Sequence, residues 1–404
     1  MNYSIEKAEG GVTAPEGFRS ASLHCGIKAK AGALDLAVLA TDEPATAAGL
    51  FTTNLAKAAP VLVSQHHLTS TSGRARAVVV NSGCANACTG DDGMANAVRM
   101  TAETAAALGC AAEEVLVAST GVIGVGLKMD RVVPGIRTAA AALARETGAD
   151  MARAIMTTDP FPKEAAAEID SGRGTFRVGG IAKGSGMIEP NMATMLGFVT
   201  LDAAVAPALL QRALKAAVDD TFNAITVDGE CSTNDCVFAL ANGASGVTLG
   251  DDDYPLLIEA LRQVCEPLAV GIVRGGEGAT KLVTVNVTGA ASREDARRAA
   301  KAIANSLLVK TAIHGGDPNW GRLIAVAGRA NVAFELSRAM VVIGSTVLFK
   351  NGQPHDEAAP EAAEYLKGTD ILISVDLGAG STSATVWTCD LSAEYVRINA
   401  EYRT

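Results

Sequence analysis

The chain has 404 residues, 49% of them hydrophobic and only 4% aromatic, with a formal charge of −10. That is apolar material for a large core and more than one domain, packed through small residues where helices meet sheets. The acidic balance, with no basic cluster, argues against a nucleic-acid partner, and no run of about 18 apolar residues offers a membrane span.

The opening MNYSIEKAEGGVTAPEGF scatters charges and lacks the apolar segment of a secretory leader, so a cytoplasmic protein is expected. LDLAVLA (34–40) and RAVVVNSG (76–83) are short β-branched runs ended by turn residues and predict strands. DDGMANAVRMTAETAAALG (91–109) then places Met94, Ala97, Val98, Thr101, Ala105 and Leu108 at helical spacing. EEVLVAST (113–120) reads as a strand, and an Ala-rich helix is expected over roughly 130–147. In the second half MLGFVTLD (195–202), VFALANG (237–243) and KLVTVNVTG (281–289) predict strands. APALLQRALKAAVDD (206–220) and most of DYPLLIEALRQVCEPLAVGIV predict helices. Ser292 opens a Ser-Arg-Glu-Asp capping pattern ahead of the helix ARRAAKAIANSLLVKTA. Further strands are expected near 322–327, 341–349 and 371–377, in what could be a separate C-terminal domain.

Three glycine-rich stretches invite a nucleotide. GVIGVG (121–126) follows a strand, but its glycines stand in the wrong order for a dinucleotide fingerprint. GGEGATK (275–281) lacks P-loop spacing. VDLGAGSTSATVW (375–387) resembles one phosphate-gripping hairpin of actin-like ATPases, which need two such hairpins; a turn between strands explains it more simply. The eight cysteines form no CxxC pair, which favours reduced thiols over disulfides or zinc, and Cys84 and Cys88 have no nearby His partner. The five histidines show no metal-binding spacing, and there is no GxSxG elbow for a Ser-His-Asp hydrolase. No metal and no resident cofactor are expected.

A hydroxyl activated without histidine is the remaining route to a nucleophile. In KGSGMIEPNMATMLGF (183–198), Ala193-Thr194 follows the turn-forming Glu189-Pro190-Asn191 and precedes a strand. Cleavage before Thr194 would give that residue an α-amino group, with a reference pKa near 7.7–8.0, able to act as base for its own hydroxyl. On these residues alone, a structural Ala-Thr junction is the commoner reading.

That segment closely resembles the self-cleavage site of the ornithine acetyltransferases, the glutamate N-acetyltransferases of arginine biosynthesis. The resemblance extends in order through VTAPEGFRSASLHCGIK, AAGLFTTN, NSGCANACTG, ASTGVIG, IMTTD, TVDGECSTND, GGEGATKLVTV, GGDPNWGRL and the terminal VRINAEYRT. It covers essentially the whole chain. It implies a precursor cut between Ala193 and Thr194 into an α chain (1–193) carrying the oxyanion half of the catalytic core and a β chain (194–404). Within the β chain, 194–285 would complete the core and about 286–404 would form a C-terminal domain whose tail returns to the site. The implied fold is α/β, with mixed sheets flanked by helices, as in the DmpA-like self-processing aminopeptidases.

The implied reaction moves acetyl from N-acetylornithine to Thr194 and then to glutamate, with the Thr120 hydroxyl and the Gly121 amide as oxyanion donors. The residues matching the family's substrate-binding positions are Thr157, Lys183, Thr194, Glu277, Asn399 and Thr404. Lys183 suits a carboxylate and Glu277 an ammonium group. Two α and two β chains are expected to associate, and the substrates are small molecules. Acetyl-CoA as an additional donor is left open, because no adenine-nucleotide motif decides it. Two positions depart from the pattern: Cys84 stands where Asn is expected, and Pro160 where a hydroxyl residue is more familiar. The rival reading is an N-terminal-nucleophile amidase or aminopeptidase that passes the acyl group to water.

Overall fold

A computed structural model of the chain describes residues 3–189 and 195–401, so Ala193, Thr194 and Thr404 lie outside the described residues. The chain forms two compact units. One comprises residues up to Asn223 together with Glu230–Ile272; the other comprises Ala224–Gly229 together with residues from Val273 on.

The first unit is built on a nine-stranded mixed sheet. Its order is Ser4–Ala8, Lys163–Asp170, Thr175–Lys183, Leu196–Leu201, Cys236–Ala241, Leu36–Phe51, Arg74–Cys84, Val115–Val122, with Phe18–Leu23 also paired to Leu36–Phe51. Two of these pairings are parallel, Leu196–Leu201 with Cys236–Ala241 and Arg74–Cys84 with Val115–Val122. Period-two alternation explains how one strand serves two cores. Leu36, Val38, Ala77, Val79, Val115 and Val117 belong to one core, closed by Ala97 and Met100 of the helix Gly90–Leu108 and by Val132 and Ile136 of the helix Met129–Ala141. Ala37, Leu39, Val78, Val80, Leu116 and Ala118 belong to the other, with Met151 and Ala152 of the short helix Gly148–Ala154.

The second unit carries a six-stranded mixed sheet ordered Gln353–Pro354, Thr346–Lys350, Met340–Ile343, Asp370–Asp376, Leu282–Ala290, Thr382–Cys389. Val283, Val285 and Val287 face a core shared with Ala296, Ala299, Ala300, Ile303 and Ala304 of the helix Arg293–Ala304. Alanine at that spacing lets the helix lie close to the sheet. Ser292 caps this helix as its pattern predicts, its hydroxyl accepting the Asp295 amide at 3.1 Å.

Several expected elements differ. The helix expected to run through 312 breaks at Asn305, because Ser306 caps a new helix, Leu307–Gly315. The stretch 322–327 is helical rather than a strand. Its apolar run is too short to reveal a period, and Asn319 caps the helix Trp320–Gly328 through the Arg322 amide at 3.1 Å. The Ala-rich helix ends at Ala141, with the next starting at Gly148. KLVTVNVTG is an interior strand of the second sheet. The two strands joined by DLGAGST are not neighbours; they flank Leu282–Ala290 on opposite sides, and a Cβ at Gly380 would lie 2.2 Å from the Ala290 carbonyl oxygen. Among the described residues no helix is long and apolar enough to cross a membrane, and no three or more His, Cys, Asp or Glu side chains converge as a metal site.

Phe238 sits in the middle of the large sheet, fully buried, with the Phe51 and Phe198 rings at 5.7 and 5.9 Å. Phe238→Ala is expected to cost about 3–5 kcal/mol of stability, read as a lowered denaturant midpoint with an unchanged slope.

Candidate functional site

The first cluster forms where two parallel strands end. Arg74–Cys84 and Val115–Val122 run in register until Ser82 meets Thr120 and Gly83 meets Gly121, where the pairing shifts at Cys84. Gly121 has φ = +128°, and a Cβ there would fall 2.4 Å from the Gly83 carbonyl carbon and 2.6 Å from the Cys84 nitrogen. Only glycine permits that approach. Thr120, beside it, is buried.

Buried side-chain amides hold this corner. Asn234 donates to the carbonyls of Ala85 at 2.6 Å and Ser119 at 2.9 Å. The Ser119 hydroxyl donates to the Asn81 side chain at 2.6 Å, and Asn81 donates to the Cys84 carbonyl at 2.9 Å. Such a connected network fixes a backbone shape that no single contact would. Sequence reasoning assigned no role to Asn81 or Asn234, although TVDGECSTND was conspicuous as a motif. Cys84, the departure from the expected Asn, fits as a small buried side chain whose thiol donates to the Val125 carbonyl at 3.1 Å; burial raises its pKa, so it is not a ready nucleophile.

The second cluster contains Thr157 and Lys183, which the structure brings together: the Lys183 ammonium donates to the Thr157 hydroxyl at 3.3 Å. A carboxylate that no sequence pattern singles out, Asp159, organises both. It accepts the Thr157 amide at 3.0 Å, the Gly184 amide at 2.7 Å and the Lys163 ammonium at 2.6 Å. The Asp159 and Lys163 side chains are 0% and 2% exposed. Burial pushes the Asp159 carboxyl up, but Lys163, Lys183 and the Gly184 amide outweigh it and hold the group below its ordinary value. Pro160, the second departure, lies beside this carboxylate and leaves its hydrogen bonds intact.

A second carboxylate, Asp35, is fully buried and accepts four successive amides, of Cys25, Gly26, Ile27 and Lys28, at 2.7–3.1 Å. The backbone amide of Ser82 donates to the Asp35 carbonyl at 2.9 Å, tying the 24–28 loop to the Thr120 corner.

In the second unit Glu277 and Asn399 meet. The Asn399 amide donates to the Glu277 carboxylate at 2.9 Å from the helix Ala393–Glu401. That helix closes on Gly278, where a Cβ would stand 2.4 Å from the Tyr395 nitrogen, and the Ser392 hydroxyl donates to the Gly278 carbonyl at 2.6 Å. The tail as far as Glu401 is thus folded back onto the GGEGATK loop.

Residues 19–404 match the ArgJ family. The chain belongs to that family. It is 52% identical to the arginine biosynthesis bifunctional protein ArgJ of Symbiobacterium thermophilum over 99% of this chain and 100% of that one. It is 48% identical to the protein of the same name from Dehalococcoides mccartyi over the full length of both. Among solved structures it is similar to the arginine biosynthesis bifunctional protein ArgJ of Bacillus halodurans, with a TM-score of 0.50 and 46% identity, covering 52% of this chain and 100% of that chain. ArgJ membership accounts for the ordered motifs that supply these clusters.

Removing Asp159 leaves the buried Lys163 ammonium without its counter-ion. Asp159→Ala is expected to destabilise the fold by about 3–5 kcal/mol at neutral pH. Because the folded carboxyl titrates below the 3.8 of the free group, its contribution is complete above about pH 4 and is lost as the pH falls through the lowered value. Melting temperatures of the wild type and the variant should therefore converge on acidification.

Proposed function

We propose that this enzyme moves acetyl from N-acetylornithine to glutamate through an acetyl ester on Thr194, after self-cleavage between Ala193 and Thr194, in the arginine biosynthesis of its family. One observation supports it most. Met195, the second residue after the cut, gives its carbonyl to the Cys236 amide at 3.3 Å, and Asn234, two residues before Cys236, holds the carbonyl of Ser119 beside Thr120. One short segment therefore ties the new chain start to the oxyanion corner.

The strand order fits a chain that is cut yet stays assembled. Leu196–Leu201 and Cys236–Ala241, which would belong to the β chain, lie between Thr175–Lys183 and Leu36–Phe51, which would belong to the α chain. The full-length match of the Bacillus halodurans chain to about half of this one is also the length expected of one product.

In the forward half-reaction the Thr194 hydroxyl adds to the acetyl carbonyl. Its proton passes to the Thr194 amine and then to the departing ornithine nitrogen. The Thr120 hydroxyl and Gly121 amide stabilise the oxyanion. Neutral glutamate amine then attacks the ester, and its proton returns through the Thr194 amine to the hydroxyl, giving N-acetylglutamate. Lys183 holds a substrate carboxylate and Glu277 an ammonium group, with Thr157, Asn399 and Thr404 as the remaining substrate-binding residues. Acetyl-CoA serves as a second acetyl donor, and two α with two β chains form the working assembly.

Thr194→Ala should remain one full-length band on denaturing electrophoresis and show no acetyl transfer; a mutant that still splits into two chains would sink the maturation step. In the wild type, ornithine release should depend on added glutamate, whereas release indifferent to glutamate would indicate an amidase. Thr120→Ala should cut turnover by about 10²–10³-fold, measured as acetylglutamate formation; undiminished turnover would remove Thr120 from the oxyanion site.

A further inference from the structure

Glutamate and N-acetylornithine pose different electrostatic problems to one site. Each brings an α-carboxylate, but the side chain of glutamate ends in a second carboxylate and that of ornithine in an ammonium group. Resting on the activity proposed above, the site needs a second cation for glutamate, and that cation must not repel ornithine.

Lys183 is taken by the first carboxylate, and Lys163 is neutralised by Asp159 at 2.6 Å with both side chains buried. Lys28 remains. It lies on the loop wrapped around Asp35, and its stem covers Gly83, where an added Cβ would be 3.0 Å from the Lys28 Cγ. Gly83 is the register partner of Gly121. The Lys28 ammonium is partly buried and donates to a neutral acceptor, the Leu34 carbonyl, at 2.8 Å. Among the described residues no carboxylate pairs with it. Asp35, the nearest in sequence, spends its oxygens on four backbone amides and lies 3.1 Å from the His24 ring. An ammonium has three donors, so two remain for a ligand.

We propose that Lys28 binds the side-chain carboxylate of the acceptor and sets the preference of this enzyme for glutamate.

The surroundings of Lys28 suit a group that serves two substrates. Burial lowers its pKa from 10.5 to about 8, the Lys183 charge acts in the same direction, and Asp35 and Asp159 partly offset both. The other titratable or charged groups on the adjoining segments are His24 (on Asp35), Cys25, Lys30, and Arg131, which donates to the Gly26 carbonyl at 3.1 Å. Near pH 8 the amine can lose its proton when an ammonium-ended substrate enters and regain it when a carboxylate arrives. Lys183, hydrogen-bonded to Thr157 and beside Asp159, is left for the carboxylate that both substrates share.

Glutamine is the discriminating probe, because it differs from glutamate as an acceptor only in replacing that second carboxylate by an amide. Lys28→Gln keeps a donor for the Leu34 carbonyl and removes the charge. It should lower the ratio of kcat/KM for glutamate to that for glutamine about tenfold or more, the low end for a lost charge-assisted hydrogen bond. The kcat/KM for N-acetylornithine, which reports only the first half-reaction, should stay within about threefold. Lys28→Arg should restore the ratio. An unchanged ratio in Lys28→Gln, or an equal loss for both acceptors, overturns the proposal. The wild type gives a test that needs no variant: its glutamate-to-glutamine ratio should fall as the pH rises through about 8, and a ratio flat from about pH 7 to 9 also overturns it. Absence of N-acetylornithine-dependent transfer in the wild type would instead overturn the activity itself.

Discussion

The Asp159 carboxylate is the contact on which the Thr157–Lys183 cluster depends. Its two oxygens reach the amide of Thr157, two residues before it in the chain, and the amide of Gly184, just past the end of a strand. A buried carboxylate is tolerated only with such partners, and the Lys163 ammonium completes them. Once this arrangement is set, the Lys183 ammonium and the Thr157 hydroxyl can hold their 3.3 Å contact. The same charge reaches Lys28, where it adds to that of Asp35 in opposing the larger effect of burial.

The Thr120–Gly121 corner, the proposed oxyanion site, rests on sterics and on neutral hydrogen bonds instead. Gly121 and Gly83 approach more closely than any Cβ allows, Asn81 and Asn234 donate to the carbonyls of Cys84, Ala85 and Ser119, and the Ser119 hydroxyl braces Asn81. Donors aimed at a developing negative oxygen are useful only if they need not reorganise when the charge appears. A corner locked by backbone contact and buried amides meets that requirement better than one held by mobile surface charges.

What the sequence made legible follows from the same physics. The strands around Val78 and Val117 are visible because β-branched residues on both faces leave a continuous apolar run. The strands Lys163–Asp170 and Thr175–Lys183 escaped notice, one for its charges and the other for Gly179 and Gly180, which are small because Gly11, Pro15 and Val264 press against them. Thr120, Gly121, Thr157, Lys183, Glu277 and Asn399 came from resemblance, since no spacing rule links residues so far apart in the chain. Asp159, Asn234 and Lys28 came only from structure: a lone Asp, Asn or Lys in a loop has the same sequence signature whether it is solvated or buried under a strand end.

The interleaving of strands gives self-cleavage its physical sense. A cut at 193/194 severs the link between Thr175–Lys183 and Leu196–Leu201, which are already antiparallel neighbours paired from Lys183–Leu196 to Val178–Leu201. The backbone hydrogen bonds on that side remain. On the other side Cys236–Ala241 stays paired with Leu36–Phe51 along its whole length. Phe198 and Phe238, both on the severed half, remain buried in a core that includes Leu39 and Val80 of the other half. Separating the halves would expose this core and open the sheet along two seams, so the cut frees a terminal amine without freeing a chain.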